Sequence, residues 1–101
     1  MLKLSYENDE YKIYDIVINN NIIGSVEYIE KDDYIENIFL YKEYRGKGYL
    51  RKILKYFPTA YLLPLPEHVE KFKHLGYTIC KQIGDDVYYN LAASNPAITS
   101  L

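Results

Sequence analysis

The chain has 101 residues, of which 49% are apolar and 13 are tyrosine, so it can build one domain with one core and is too apolar to remain disordered. Its single cysteine, Cys80, excludes an intrachain disulfide and a cysteine-based metal cluster, and we expect no metal site. No segment is apolar for long enough to span a membrane and the N-terminus has no apolar signal region, which favours a cytoplasmic location.

Charge is distributed unevenly along the chain. Residues 1–40 contain nine acids and three bases, whereas residues 41–101 contain nine bases and five acids. Six of those bases lie between Lys42 and Lys55. An acidic half and a basic patch suit a cationic substrate and an anionic cofactor, and a solvated surface without a ligand is the alternative. Because the bases form one local patch rather than a broad face, nucleic acid is not an expected partner.

The first forty residues predict an antiparallel meander of four strands. Their β-branched and aromatic residues alternate with polar ones, as is typical of half-buried strands, and Asn and Asp residues mark the turns between them. Gly24, inside the third strand, indicates a bulge. The four predicted strands are Leu2–Glu7, Tyr11–Asn19, Ile22–Glu30 and Tyr34–Leu40.

After Tyr41 the pattern changes to alternating helices and strands. Apolar residues at positions 50, 53, 54 and 57 predict a helix over residues 48–57 that Pro58 ends. The short apolar run Thr59–Leu63 predicts a strand that is buried on both faces. A strand, a helix and a strand of this length predict a crossover between two parallel strands.

A second helix and a closing hairpin complete the predicted elements. Proline in the first turn and glycine just past the end bound a helix from Pro66 to Gly76. Two alternating runs, Tyr77–Gln82 and Asp86–Leu91, flank a glycine turn and predict the hairpin. The small and polar residues that follow predict a tail. The expected organisation is therefore a single domain over residues 1–91 and a flexible tail over residues 92–101.

The most informative segment is the glycine-rich turn that precedes the first predicted helix. The backbone N–H groups at a helix start are unpaired and attract anions, and glycine lets a ligand approach them closely. Arg45, Lys47, Arg51 and Lys52 add positive charge, so the turn suits a phosphate or pyrophosphate. It has neither the Walker lysine before Ser/Thr nor the GxGxxG spacing. The alternative is that its glycines serve only the geometry of a strand-to-helix turn.

The order of elements and three motifs resemble the GNAT superfamily of acyl-CoA-dependent N-acyltransferases. Residues 39–48 (Phe-Leu-Tyr-Lys-Glu-Tyr-Arg-Gly-Lys-Gly) are similar to the family's strand-loop-helix motif, whose glycine end is R/Q-x-x-G-x-G/A. Residues 69–77, which end in Leu-Gly-Tyr, resemble its late helix, and Ile22–Val26 resembles its "iGxv" strand. The resemblance implies an α+β GNAT fold: a mixed, mostly antiparallel, twisted sheet of about seven strands with two helices and a central parallel crossover.

The same resemblance implies acetyl-CoA as the cofactor. The backbone amides of the glycine turn would hold the pyrophosphate. The pantetheine arm would lie between the strands Tyr34–Leu40 and Thr59–Leu63 and pair with main-chain groups near the end of the first of these. The implied cofactor-binding residues are Ile38, Phe39, Leu40, Arg45, Gly46, Lys47, Gly48, Tyr49, Leu50 and Arg51.

Several departures from the family's pattern bear on activity. Leu50 stands where the family prefers Gly or Ala, and Phe72 stands where a tyrosine general acid is frequent. Leu65 replaces an asparagine that is often found at the end of the preceding strand. The two helices that commonly follow the first strand have no room in the segment Glu7–Glu10. The chain therefore resembles a minimal member of the family with an open acceptor side.

Glu36 and His68 are the candidate catalytic residues. Glu36 is expected on the same side of its strand as Ile38 and Leu40, where desolvation would prepare it to accept a proton; the alternative is a solvated or lysine-paired carboxylate. His68 lies one helical turn before Phe72 and could act as acid or base; the alternative is a surface histidine. A strand bulge near Leu40 would offer backbone N–H groups to the oxyanion.

The expected function is acetyl-CoA-dependent transfer of an acetyl group to a primary amine by direct attack. The acceptor would be a protein lysine, a peptide or a small cationic amine. The alternative is a catalytically silent GNAT-like module that binds a protein partner, with or without CoA. The closing hairpin offers an edge through which two copies could pair as a homodimer, and no membrane partner is expected.

Overall fold

A computed structural model describes residues 1–94, which form seven β-strands and two short α-helices. The strands are β1 (Leu2–Glu7), β2 (Lys12–Ile18), β3 (Asn21–Ile29), β4 (Tyr34–Leu40), β5 (Tyr61–Leu62), β6 (Tyr77–Ile83) and β7 (Asp86–Leu91). The helices are α1 (Tyr49–Leu54) and α2 (Val69–His74). The predicted α+β class is confirmed. Two compact units make up the chain, Met1–Phe57 and the residues from Pro58 onward.

In the first unit, β1 to β4 form an antiparallel sheet in sequence order. All four strands agree with the predicted ranges to within one residue at each end. Alternation of apolar and polar residues places one set of side chains in the core. The fully buried side chains of this unit are Ile16, Ile23, Val26, Ile35 and Ile53.

Gly24 allows β3 and β4 to approach each other unusually closely. A Cβ at this position would lie 2.1 Å from the carbonyl oxygen of Phe39 and 2.9 Å from the Cα of Leu40. The register of β3 against β2 skips Ile23, so the predicted bulge beside Gly24 is confirmed. The sheet therefore requires a residue without a side chain at this point.

Helix α1 is shorter than predicted because the chain tightens after it. The helix ends at Leu54 rather than Phe57. The N–H groups of Tyr56 and Phe57 bond to carbonyls three residues earlier, both at 3.0 Å, which is the 3-10 pattern. Phe57 is nevertheless buried, and its ring centre lies 4.8 Å from that of Tyr28. The apolar residues of the predicted helix therefore pack into the core, although the last turn is not α-helical.

The second unit contains the antiparallel strands β5, β7 and β6 in that spatial order. The predicted helix that begins at Pro66 and the closing hairpin are confirmed, the helix as a 3-10 turn that leads into α2. The prediction for β5 is wrong in extent, since the strand has two residues and Leu63 is 39% exposed. Pro58 and Pro64 flank the apolar run, and proline cannot donate to a ladder.

The residues after β7 begin with a 3-10 turn at Ala92–Ser94. The Ala92 N–H bonds to the Gly76 carbonyl at 3.0 Å, and Ser94 Oγ donates to the Pro58 carbonyl at 2.8 Å. These bonds fix the start of the predicted tail, while residues 95–101 lie outside the described part of the chain. The single-domain organisation and the parallel crossover stay predictions. No helix within residues 1–94 is long and apolar enough to cross a membrane.

Tyr77 is a fully buried side chain of the second unit, at 1% exposure. Its ring packs edge-on against Phe72 with the centres 5.4 Å apart. The hydroxyl makes no hydrogen bond to any described residue. Because burial disfavours the phenolate, it raises the pKa of Tyr77 to about 12. The core of this unit therefore contains a hydroxyl group to which no described residue offers a hydrogen bond.

The close approach at Gly24 predicts a severe loss of stability for Gly24→Ala. The new Cβ would collide with backbone atoms, which cannot move aside cheaply, so we expect a loss of about 2–4 kcal/mol in the free energy of unfolding. Urea denaturation measures this loss. Gly46→Ala is the control, because its φ of +73° is strained but nothing lies within 4 Å. Equal losses in the two variants would contradict the steric argument.

The unpaired hydroxyl predicts that Tyr77→Phe leaves stability at pH 7 unchanged or increased, because a buried unsatisfied group costs about 1–3 kcal/mol. Free tyrosine ionises near pH 10, whereas Tyr77 holds its proton to about pH 12. Stability is thus fully present below pH 10 and falls as the pH rises to 12. The stability of the Tyr77→Phe protein should therefore decrease less over this pH range than that of the wild type.

Urea denaturation at pH 7 and pH 11 tests this prediction, with the exposed Tyr56→Phe as the control. The pKa of Tyr28 is also raised, first by burial and then by its hydrogen bond to Asp33, and it adds the same loss to every variant. The prediction is refuted if Tyr77→Phe is destabilised at pH 7, or if its free energy of unfolding decreases between pH 7 and pH 11 as much as that of the wild type.

Candidate functional site

A loop with two glycines in left-handed conformations connects β4 to α1; we call residues 41–48 the glycine loop. It is anchored at its start, where the Tyr41 N–H donates to the Ile23 carbonyl at 2.8 Å. Gly46 and Gly48 have φ values of +73° and +84°. No atom lies within 4 Å of the place that a Cβ would take at either glycine. The glycines therefore set the backbone conformation and leave one side of the loop open.

Arg45 attaches the glycine loop to the end of β4. Its Nε donates to the Leu40 carbonyl at 2.9 Å in a partly buried bond, and its N–H donates to the Lys42 carbonyl at 3.2 Å. Lys47, two residues later, is exposed and makes no hydrogen bond or ion pair to another described residue. The basic patch thus contains one cation with a structural bond and others that remain available to a ligand.

The start of α1 offers backbone donors to the open side of the loop. Gly48 is the N-cap and supplies no side-chain acceptor, and the first backbone bond of the helix runs from Lys52 N–H to the Gly48 carbonyl at 3.4 Å. The N–H groups of the first turn therefore have no helical partner. Arg51 is exposed beside them. The Lys52 ammonium lies 6.0 Å from the ring centre of Tyr49.

Leu50 is half-buried and lies at helical spacing from the buried residues Ile53 and Leu54. This position supports the interpretation that the leucine extends the apolar stripe of α1. At the other end of the loop, Leu40 is 8% exposed and Phe39 is 40% exposed. Ile38 is half-buried. All of the predicted cofactor-binding residues lie within residues 38–51, which belong to the first unit. The predicted pantetheine path involves both units and stays a prediction.

Glu36 lies at a bulge in β4 and is exposed, so the expectation of a desolvated carboxylate is wrong. The register against β3 passes from Ile35 to Asn37 and leaves Glu36 without a partner. An inserted residue shifts the alternation of the strand by one, which removes Glu36 from the side that Leu40 occupies. The bulge is also not near Leu40, where it was expected to supply oxyanion donors. A role for Glu36 as a base stays a prediction.

His68 does not share an environment with Phe72, contrary to expectation. His68 is exposed, whereas Phe72 is 6% exposed. His68 ends a 3-10 turn, with φ of −107° and ψ of −4°, before α2 begins. The change from 3-10 to α periodicity alters which residues align on one side. Glu36 belongs to the first unit and His68 to the second, and the catalytic role of His68 stays a prediction.

The acidic residues gather where the sequence predicted an open acceptor side. Residues 8–11 alone connect β1 to β2, so no helices intervene. With Lys12, Glu30 and Lys31 they line an open cavity of about 280 Å³. Lys12 Nζ contacts the Glu30 carboxylate and lies 3.5 Å from Glu7 Oε2. Within residues 1–94, no three His, Cys, Asp or Glu side chains are grouped to hold a metal ion.

Comparison with known proteins gives a family match and two similar folds. Residues 2–57 match the model of the acetyltransferase (GNAT) family. The fold is similar to Tetrahymena GCN5, with a TM-score of 0.61 and 12% identity over 82% of this chain and 69% of that one. It is also similar to a protein of Bacillus anthracis assigned as a streptothricin acetyltransferase, in complex with acetyl coenzyme A, with a TM-score of 0.61 and 19% identity.

The second of these matches covers 83% of this chain and 63% of that one, so this chain spans less than two thirds of its length. At such identities the two structural matches show the fold alone. The comparison with curated proteins gave no match.

The bond from Arg45 to Leu40 predicts that Arg45→Ala loosens the glycine loop. We expect a loss of about 1 kcal/mol in the free energy of unfolding and faster amide exchange in residues 41–48. Urea denaturation and hydrogen–deuterium exchange measure the two effects. Lys47→Ala removes the same charge but no bond and should do neither. If both variants behave alike, Arg45 acts through its charge only and the predicted attachment is refuted.

Proposed function

Because the chain belongs to the acetyltransferase (GNAT) family, we propose that it is an acetyl-CoA-dependent N-acetyltransferase whose acceptor is a primary amine. The observation that carries the proposal is the glycine loop, an open backbone segment with exposed cations at the start of a helix. This loop lies inside the residues that match the family model. The proposal includes a cytoplasmic location, which a lone cysteine supports.

The glycine loop fits the pyrophosphate of coenzyme A. Gly46 and Gly48 leave space for close approach, and the N–H groups of the first turn of α1 are unpaired donors. Lys47 and Arg51 are exposed next to these donors and would neutralise phosphate charge. When bound, acetyl-CoA supplies a thioester whose carbonyl carbon an amine can attack. The main chain of Ile38–Leu40 would hold the pantetheine arm. The B. anthracis protein, which contains acetyl coenzyme A, supports the acetyl donor.

The acceptor amine has to lose a proton before or during its attack. Glu36 and His68 are both exposed, so either would accept the proton through water. Tyr77, whose ring packs against Phe72, is a poor replacement for a general acid, because burial raises its pKa to about 12. Proximity of the two reactants would then provide much of the rate enhancement. We therefore expect slow turnover.

A cationic acceptor is supported by the acidic first unit. Nine of the fourteen acids lie in residues 1–40. Asp9, Glu10 and Glu30 line the open cavity beside the turn of residues 8–11. The short turn leaves this surface accessible to a peptide or a small amine. These features favour a lysine side chain, a polyamine or another small amine as the acceptor.

A silent module that binds a protein partner is the second candidate function. It is favoured by the exposure of both proposed bases and by the burial of Phe72 where a general acid is frequent in the family. Such a protein would keep the glycine loop and bind CoA without turnover. Exposed tyrosines such as Tyr41 and Tyr56 would suit a protein interface.

The proposed function predicts release of CoA thiol from acetyl-CoA by the purified protein with polyamines, alkylamines and lysine peptides. Ellman's reagent measures the release, and Cys80 contributes at most one thiol per chain. Gly48→Glu should reduce the rate at least about tenfold, because a carboxylate would repel the pyrophosphate. Gly84→Glu is the matched control, since Gly84 also has positive φ and open surroundings but lies in the β6–β7 turn.

Calorimetric titration with acetyl-CoA separates the two candidate functions. Binding that Gly48→Glu abolishes and Gly84→Glu preserves, with thiol release on at least one amine, is the expected result for an enzyme. The same binding pattern without release on any amine favours the silent module. If acetyl-CoA does not bind at all, the proposed cofactor site is wrong.

A further inference from the structure

The ammonium group of a lysine lies against the rings of two tyrosines in the second unit. Lys81 Nζ lies 3.8 Å from the ring centre of Tyr61 and 5.3 Å from that of Tyr88. The two ring centres are 5.5 Å apart, and the ring planes are inclined by 77°. The negative faces of aromatic rings attract cations within about 6 Å. We call these two rings the Tyr61–Tyr88 pair.

The local sheet places these three residues together. Lys81 on β6 pairs directly with Tyr88 on β7. Tyr61 precedes Leu62, the residue of β5 that pairs with Tyr89. The tyrosines are half-buried, whereas Lys81 is exposed. The rings therefore belong to the fixed framework of this unit, and the lysine reaches them with a long and flexible side chain.

No ion pair joins Lys81 to a carboxylate within residues 1–94. Its ammonium is thus held by the rings rather than by an opposite charge. An exposed cation–π contact favours the closed arrangement only about two- to fivefold. An external ammonium group could therefore displace Lys81 at little cost.

We propose that the Tyr61–Tyr88 pair is a binding site for an alkylammonium group, which Lys81 occupies until a ligand replaces it. The negative faces of the rings recognise the cation, and the Lys81 ammonium lies over both rings at cation–π distances. The binding itself does not depend on the acetyltransferase activity. The identification of the ligand with the amine acceptor rests on the proposed function.

An NMR titration of the full chain without acetyl-CoA tests the site. Choline is the cationic probe, and 3,3-dimethylbutan-1-ol is its uncharged isostere. In the free protein, ring currents should shift the Cε protons of Lys81 upfield. Choline should move these protons toward their ordinary position and shift the rings of Tyr61 and Tyr88. The isostere should do neither.

Variants identify the groups that bind. Lys81→Met removes the internal occupant from an exposed position and should tighten choline binding about two- to fivefold. Tyr61→Leu should weaken choline binding at least about fivefold, whereas Tyr56→Leu, at an exposed tyrosine of the first unit, should not. Lys81→Met is expected to fold normally, so it keeps the test valid if a tyrosine variant unfolds.

The inference is overturned if choline and its isostere bind equally, or if Lys81→Met does not tighten binding. If choline binding supports the site, titrations with n-butylammonium and with Nα-acetyl-lysine amide distinguish a small amine from a lysine side chain as the source of the ammonium. Choline binding in a protein that releases no CoA thiol would sustain the site and refute the proposed activity. Thiol release with amine KM values that Tyr61→Leu leaves unchanged would refute the assignment of the site to the acceptor.

Discussion

The contact of β3 with β4 at Gly24 is the constraint on which the candidate site depends. The backbone of β4 passes so close to Gly24 that a Cβ there would lie 2.1 Å from the Phe39 carbonyl oxygen. One residue away, the Ile23 carbonyl accepts the Tyr41 N–H at 2.8 Å, which sets the direction in which the chain leaves the sheet. Arg45 then bonds to the Leu40 carbonyl. Main-chain contacts and the Arg45 side chain thus position the glycine loop, and the exposed side chains of Lys47 and Arg51 are left for the ligand.

The charges of the first unit are partly neutralised within it. The sequence assigns nine acids and three bases to residues 1–40. Lys12, however, contacts Glu30 and lies near Glu7, so one of these three bases is paired with acidic side chains. Arg45 is similarly committed to a backbone carbonyl. Glu7 and Glu30 are therefore less available to a cationic ligand, whereas Arg45 keeps its positive charge and only its position is fixed.

Patterns within the sequence predicted the elements well because periodicity and turn residues act locally. Alternation located β1 to β4 to within one residue at each end. The same patterns gave too long a range for β5, which is flanked by prolines. They also placed Glu36 on the wrong side of β4, because the register of that strand skips a residue there. A bulge shifts every later side chain to the other side of a strand. The sequence therefore identified the glycine loop and misplaced the expected catalytic carboxylate.

The bond from Arg45 to Leu40 and the contact of Lys81 with the Tyr61–Tyr88 pair were not predicted. The first joins residues five positions apart across the 3-10 turn Lys42–Tyr44. The second joins β5, β6 and β7 and requires their register. No residue pattern in a single sequence signals such contacts.

The family match and the compact units divide the molecule at the same place. The family model covers residues 2–57, and the first unit is Met1–Phe57. This unit contains the glycine loop and all residues proposed to hold acetyl-CoA. The residues that depart most from the family's catalytic pattern, Phe72 and Leu65, lie in the second unit, as does the Tyr61–Tyr88 pair. Cofactor binding is therefore the part of the proposed function that family membership supports. Acceptor choice and turnover involve residues on both sides of this division. Glu36 and the acidic cavity lie inside the match, whereas His68 and the Tyr61–Tyr88 pair lie outside it, and the role of each has to be argued from its own chemistry.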